Sequence, residues 1–534
     1  MKKITPIDIV ERFRRAKERR STWEAHWQEC YDYALPQRDG FIYSARPGEK
    51  KTDKLFDGTA PDAVDQLAAS LLAELTPPWT RWFGLAAGAD APAEDREYLG
   101  KELEQVATAL QSHFDLSNFT VEMHQCYLDL VTAGTASLLL EEAPRGEPSA
   151  LRFTAVPLSQ VALEEGPHGR LDNTFRRTEM TMAQLRARYP KASLPDDAMR
   201  VSEKDVDARF PVVEAVINDG KGYAYLAVLE NQSSSQADIT VLKEGRFEMS
   251  PFINFRWLKA PGEIYGRSPV MKTLPDIKTA NKVVELVLKN ASISVTGVWQ
   301  AEDDGVLNPA TIKLTPGSII PKAVGSQGLT PLKAPGNFDT SEIILKDLRA
   351  SIRRALLADK LGQVDSPTMT ATEVLERSAE MSRILGATYG RLQSELLTPL
   401  VRRALAILTR RGEIKNIRID GRYVELEYKS PLARQQARQE AQNTIQWLDT
   451  IKTMGPEAMQ GVNKAAVVRW LGRAYGVPAE LIREEPAINL DAMLKSDAAQ
   501  GIIGALTEDQ AETPLEAEPA DETPMTPSDG GGGP

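Results

Sequence analysis

Cysteine and histidine are scarce in this 534-residue chain, which has two of the first, Cys30 and Cys126, and four of the second, His26, His113, His124 and His168. So few and so scattered, they cannot frame a disulfide scaffold or a zinc module, and a reducing compartment suits them. Long apolar runs are missing as well. The longest candidates, around Leu138–Leu140 and Leu286–Leu288, fall far short of the roughly 18 residues a bilayer-spanning helix needs. Residues 1–15 turn basic and polar at once, without the apolar centre of a secretion signal, so the chain is expected to stay where it is made.

Reaction signatures are absent too. A phosphate-cradling loop needs Gly-x4-Gly-Lys-Ser/Thr, and Gly48-Glu49-Lys50-Lys51-Thr52 lacks the first glycine. Neither Gly-x-Ser-x-Gly nor His-Glu-x-x-His occurs. His124 and Cys126 read as a buried histidine beside a buried core thiol on one helix. The acidic pairs Glu141-Glu142, Glu164-Glu165 and Asp303-Asp304 lie at expected loop or strand ends, where carboxylates are ordinarily solvated. No catalytic residue, metal ligand or cofactor is therefore assigned, and the expectation is a protein that is not an enzyme.

Basic residues disappear from one end. From Glu508 onward there are eight acids and no Lys or Arg, which leaves about −3 of the formal −11 for the rest of the chain. A nearly balanced body does not suit tight DNA binding by counterion release, which needs concentrated Lys and Arg. Beyond about Gln500 the Pro-, Glu-, Thr- and Gly-rich tail is too poor in apolar residues to order itself.

What is present describes a folded protein. With 42% hydrophobic and 26% charged residues the chain should bury a core, divided by its length into roughly three or four packing units. The pattern predicts an α+β, predominantly helical fold. Thr5-Pro6-Ile7-Asp8 announces a helix to about Tyr33, with Arg12, Arg14, Arg15, Lys17, Arg19 and Arg20 around an apolar stripe. That basic run is either a solvated face or a DNA contact. Residues 59–75 and 92–140 read as helical, parted by Thr76-Pro77-Pro78-Trp79. Between Leu151 and Leu258 the pattern turns to short strands, including 211–217, 223–229 and 251–257. Helices at 276–291 and 341–359 bracket a Pro-rich excursion with a strand at 311–314. A capping box at Thr370–Glu373 opens a long helix to about Arg411, bent at Pro399. A hairpin follows, 414–419 turning through Asp420-Gly421 into Val424–Tyr428, and then Gln-rich helix broken at Gly455-Pro456.

The two bracketing helices carry periodic charge. Lys278, Lys282, Glu285 and Lys289 on the first, and Lys346, Arg349 and Arg353 on the second, form mostly basic stripes opposite apolar ones. In a monomer such stripes are a solvated face; in a closed ring they multiply into belts of charge.

Several blocks, in order over about residues 1–435, resemble the head-to-tail connector (portal) proteins of short-tailed podoviruses. They are Phe56–Ala60, Leu67–Leu75 running into Thr76–Trp79 and Trp82-Phe83, Tyr265–Pro269 with Leu274–Lys278, Met369–Val374, and Ser430–Arg434. The resemblance implies a virion protein at the capsid vertex, assembled in host cytoplasm as a twelve-fold ring that conducts double-stranded DNA during packaging and ejection. Its partners would be the terminase large subunit, tail adaptor or tube proteins, and scaffolding and major capsid proteins, with no membrane and no activity of its own. It further implies a wing at 1–270, stem helices at 271–291 and 341–361, a small α/β clip at 292–340 and a tunnel loop at 362–369. A long bent helix and hairpin would return to the wing at 370–430, with a helical crown at 431–500 and an acidic tail at 501–534. Lys278, Lys282, Lys289, Lys346, Arg349 and Arg353 then become DNA-channel candidates. Gly362, Gln363, Val364, Asp365, Ser366, Pro367 and Thr368 become tunnel-loop candidates. Two other readings stay open: a packaging ATPase or nuclease, separable by ATP turnover, and a tail adaptor or internal capsid ring, separable by a bore too narrow for a duplex.

Overall fold

Thr5 starts the first helix as its side chain dictates. Its Oγ1 accepts from the Asp8 amide at 3.2 Å while the Thr5 amide donates back to Asp8 at 3.0 Å, a reciprocal cap for α1 (Pro6–Ala34). The computed structural model describes residues 5–358 and 386–477 apart from 39, 42–48, 79, 89, 91, 93–95, 231–238, 297–298, 302–323, 326–328, 332–337, 387, 416, 418–422, 429–430, 456–457 and 476. The basic run of α1 divides by direction. Arg20 turns inward and donates to the carbonyls of Leu158, Ser159 and Val161 at 3.2, 2.9 and 2.7 Å, and Arg12 pairs with Glu164 at 2.5 Å. Arg14, Arg15, Lys17 and Arg19 remain exposed.

Helix α2 (Thr59–Leu75) occupies the expected residues and stops at the proline pair. The stretch predicted as helical over 92–140 instead gives α3 (Arg96–Asp115), α4 (Phe119–Ala133) and then a strand, with β1 (Phe83–Ala87) preceding them. Gly134 makes the break, closing α4 at φ +77°, a left-handed conformation that glycine adopts cheaply. Beyond it Thr135–Glu142 (β2) is the centre of an antiparallel sheet between β3 (Leu151–Val156) and β9 (Phe252–Arg256). The continuous run Leu138–Leu140 fits a strand buried on both faces as well as it fits a helix, so periodicity alone could not choose.

A second antiparallel sheet runs β4-β5-β6-β7-β8, over Val161–Glu164, Asn173–Thr181, Arg209–Asn218, Tyr223–Leu229 and Thr240–Phe247. Two short helices, α5 (Met182–Arg188) and α6 (Asp196–Lys204), lie among the expected short strands. The first begins at a capping box of Thr181 and Gln184. Ile9, Phe13 and Ala16 of α1 pack with Phe175, Val213 and Val228 of this sheet, and Trp27, Tyr31 and Ala34 enter a larger core that extends to Val424.

Helix α7 (Pro269–Thr296) begins before the expected residue, and α8 (Phe338–Ala355) packs along it. Of the excursion between them, β10 (Trp299–Ala301) pairs with β11 (Leu329–Pro331), while the expected strand at 311–314 lies outside the described residues. The segment 362–368, the capping box at 370–373 and the tail also lie outside them. Past residues 359–385, which lie outside the described residues, the chain is helical at Gly386 and from Thr388 on, and it passes through a π-helical turn, Gln393–Leu397, into α9 (Thr398–Arg411). Pro399 explains the turn: it has no N–H to give, and the chain widens just before it, with the Thr398 amide bonding back to Gln393.

Of the predicted hairpin, Val424–Tyr428 is a strand, β12, and it pairs with β1 in antiparallel register from Phe83↔Tyr428 to Ala87↔Val424; Ile414, Lys415 and Ile417 of the expected first arm lie outside any strand, and the turn at 420–421 lies outside the described residues. The alternation of Val424, Leu426 and Tyr428 is satisfied by a distant partner. Helices α10 (Pro431–Met454) and α11 (Lys464–Tyr475) follow, separated at Gly455, φ +108°.

Candidate functional site

Helices α7 and α8 pack against each other, and the periodic charges on them have different partners. On α7, Glu285 stands between two lysines, with Lys282 Nζ at 3.0 Å and Lys289 Nζ at 2.5 Å. Hydrogen bonds from Lys289 and Lys282 hold the Glu285 carboxyl below its ordinary pKa, so this segment is an alternating ladder of paired charge rather than a bare basic stripe. Lys278 turns away to Glu29 of α1 at 3.0 Å and lies 6.0 Å from the Tyr33 ring centre. On α8, Lys346 lies 4.0 Å from Glu342, and Arg353 is exposed with no ion-pair partner among the described residues.

Arg349 has a structural role that the charge pattern did not reveal. Its Nε and Nη2 donate to Asp57 Oδ2 at 2.9 and 2.8 Å, and the Asp57 side chain is only 4% exposed. The other Asp57 oxygen accepts from the Thr59 amide at 2.9 Å, at the start of α2. From α7, Asn281 Oδ1 accepts from the amides of Phe56 and Asp57 at 2.6 and 3.1 Å, and its Nδ2 donates to the Lys54 carbonyl at 2.8 Å. Ser351 adds a bond to Asp276 at 3.1 Å. One short segment, Phe56-Asp57-Gly58-Thr59, thus locks both helices to α2. Burial pushes the Asp57 carboxyl up, but the bonds from Thr59 and Arg349 outweigh it and leave the group below its usual range.

A second anchor sits beneath the pair. Gly266 and Gly134 approach so closely that a β-carbon on Gly134 would lie 2.5 Å from the Gly266 carbonyl oxygen, and one on Gly266 would lie 2.1 Å from that of Gly134. Ser268 Oγ donates to the Thr132 carbonyl at 2.8 Å and accepts from the Met271 amide at 2.9 Å, fixing the first turn of α7. Buried Arg256, one strand away, binds Glu395 of the π-helical turn at 2.6 Å and the carbonyls of Ile264 and Gly169 at 3.0 Å each.

The groups held in reserve for chemistry are otherwise engaged. Glu141 and Glu142 bind Arg188 and Arg410 at 3.2 and 2.5 Å, and Glu164 and Glu165 bind Arg12 and Lys259. Asp303 and Asp304 lie outside the described residues. Cys126 is buried, with its thiol pushed well above the ordinary range by that burial, whereas His124 is half-exposed rather than buried as expected. Among the described residues no three His, Cys, Asp or Glu side chains converge to hold a metal ion, and no helix is long and apolar enough to cross a membrane. What the site offers chemically is a rigid helix pair with a charged outer face.

Residues 8–482 match a family model described as "Bacteriophage head to tail connecting protein". The chain is 25% identical to the probable portal protein of Bordetella phage BPP-1, covering 74% of this chain and 72% of the relative. It is 23% identical to the portal protein of Salmonella phage epsilon15, covering 97% of each. A looser likeness, TM-score 0.34 at 13% identity, covers 83% of this chain and 98% of one in a structure titled "Virion of native gene transfer agent (GTA) particle".

Proposed function

The chain belongs to the bacteriophage head to tail connecting protein family, and from that premise we propose that it is the portal of a phage virion, a ring at the head–tail junction through which double-stranded DNA enters and leaves. The observation that carries this is a relationship to portal proteins spanning nearly the whole chain, with 97% of it aligned to one of them. Ring closure demands a heterologous interface, each copy's one flank meeting the next copy's other flank. In this reading residues 271–291 of α7 and residues 341–361, which take in most of α8, are the stem, with 1–270 the wing, 292–340 the clip, 362–369 the tunnel loop and 431–500 the crown.

The paired charges suit a conduit. Each persistent contact between a lysine and a phosphate adds a salt-dependent grip that moving DNA must break. Lys282 and Lys289, shared with Glu285, and Lys346, near Glu342, give a weak and repeated attraction. Arg353 is the stronger contact, while Lys278 and Arg349 serve the frame rather than the channel. Terminase large subunit and tail adaptor dock at the clip, scaffolding and major capsid proteins at the wing, and the ring, twelve-fold in this reading, forms in the host cytoplasm. Terminase supplies the ATP hydrolysis.

Electron microscopy and native mass spectrometry of the purified chain test the proposal. Closed rings with a bore that admits a duplex, and no ATP turnover, are expected. A protein that stays monomeric under assembly conditions, or rings too narrow for DNA, would overturn it.

A further inference from the structure

Two charged segments have no part in the proposed ring, the basic run of α1 and the acids from Glu508. Residues 1–20 hold eight Lys or Arg against three acids, and residues 508–529 hold eight acids with no Lys or Arg. On α1, Arg12 and Arg20 are paired with Glu164 and Glu24, while Arg14, Arg15, Lys17 and Arg19 are exposed without an ion-pair partner among the described residues. Glu11 and Glu18 share that outer surface and only half offset it. Elsewhere positive charge is met locally. Residues 431–475 carry six bases and three acids, and 478–500 restore the balance with two bases and five acids. The stem cations share Glu285, Glu342, Glu29 and Asp57. The acids from Glu508 have no such counterweight beside them in the sequence.

Arg15 and Arg19, one turn apart, lead along α1 to an open cleft of about 470 Å³, lined by Arg19, Thr22, Trp23 and His26 of the helix and by Glu263 and Arg267 of the chain before α7. Arg267 lies 4.7 Å from the Trp23 ring centre and is held there by Glu263, which accepts from Nε at 2.9 Å and from Nη2 at 2.5 Å. Burial and the Arg267 charge hold His26 below its ordinary pKa, so at neutral pH the charges of the cleft are Arg19 and Arg267 against Glu263. One aromatic wall beside two guanidinium groups suits a carboxylate next to an apolar side chain. The acidic stretch carries that combination twice, as Glu512-Thr513-Pro514-Leu515 and Glu522-Thr523-Pro524-Met525. Reach is no obstacle: α10 packs on α2 and α2 on α1, and the 31 residues from Val477 to Glu508 can span up to roughly 100 Å.

We infer that this cleft seats the acidic stretch 508–529 of the same chain, with Arg15, Arg19 and Arg267 on its carboxylates and Trp23 against Leu515 or Met525. The contact is independent of the ring reading and forms within a single copy. On this account the outer side of α1 is neither a bare solvated face nor a DNA contact.

The test uses the full-length chain, an arginine-selective dicarbonyl reagent and mass spectrometry. Changing Glu512, Glu516, Glu518, Asp521 and Glu522 to their amides should raise the modification rate of Arg19 several-fold. Arg14, which points about 140° away around the helix, should not change. As a second reading, Thr22→Cys paired with Leu515→Cys or Met525→Cys should form a disulfide several-fold faster than with Gly531→Cys, a tether control outside the motif; the native thiols Cys30 and Cys126 are buried. Unchanged modification of Arg19, or trapping no faster than at Gly531, would overturn the docking. Equal gains at Arg14 and Arg19 would reduce it to a general charge effect and overturn the cleft as its seat. Disulfides that join two copies instead of closing within one would overturn the same-chain contact.

Discussion

Arg349→Gln should loosen α8 from the start of α2, and its magnitude follows from the geometry. The substitution removes a two-pronged charged contact from a carboxylate that is 4% exposed and leaves Asp57 with Thr59, through its amide and its side chain, as the remaining partner at that group. Stripping one member from a buried pair costs about 3–5 kcal/mol, but the Arg349 side chain is 44% exposed and part of the attraction is screened. About 1–2 kcal/mol is therefore expected, measured by urea denaturation at neutral pH. Acid titration gives a second reading. The Asp57 pKa is depressed in the folded state, so the unfolded state binds the proton more readily; this contribution is present above the ordinary carboxylate value of about 4 and is lost as pH falls through the lower folded value. Arg349→Gln should flatten that part of the acid limb, and Asp57→Asn should abolish it. Wild-type stability and an unchanged acid limb in both variants would refute the clamp.

Further outcomes follow from other contacts. Gly134→Ala and Gly266→Ala should each cost more than about 1 kcal/mol, because each puts a β-carbon against the carbonyl of the other glycine; unchanged thermal melting would show that the backbones can part freely. Glu214→Ala leaves Arg188 and the hydroxyls of Tyr189 and Tyr225, now at 2.9–3.0 Å, without their shared carboxylate, and Arg176 at 3.7 Å without its attraction. A loss of about 3–5 kcal/mol by chemical denaturation is expected, against none if water can replace the carboxylate. Lys282, Lys289, Lys346 and Arg353 changed together to Gln should leave thermal stability alone and alter DNA retention in packaged particles. Unaltered retention would return them to an ordinary solvated face.

Local signals were legible where local chemistry decides. Thr5 and Asp8 fixed the start of α1, the proline pair ended α2, Gly455 broke α10 from α11, and Pro399 marked the distortion realised as the π-helical turn. Distant partners were not legible. Val424–Tyr428 has the alternation of a strand, but nothing nearby tells it to seek Phe83–Ala87 instead of an adjacent hairpin arm. The same limit governed the site. Spacing located Lys278, Lys282, Lys346 and Arg349 on helix faces, yet whether a cation meets solvent, Glu29 or buried Asp57 depends on residues far away in the chain. Phe56–Ala60 and Tyr265–Pro269 are two of the blocks that together carried the family resemblance, and Asn281 and the paired glycines give these two a physical reason.

The pairing of β1 with β12 also sets a timetable. Phe83 waits for Tyr428, and ribosomes adding roughly 5–20 residues per second need on the order of 20–70 s to travel between them. Through that interval the early strand has an open edge and the hydrophobic interior lacks its last wall. A product terminated before Val424 would keep that edge bare, and an unpaired strand edge is a template for pairing with other chains.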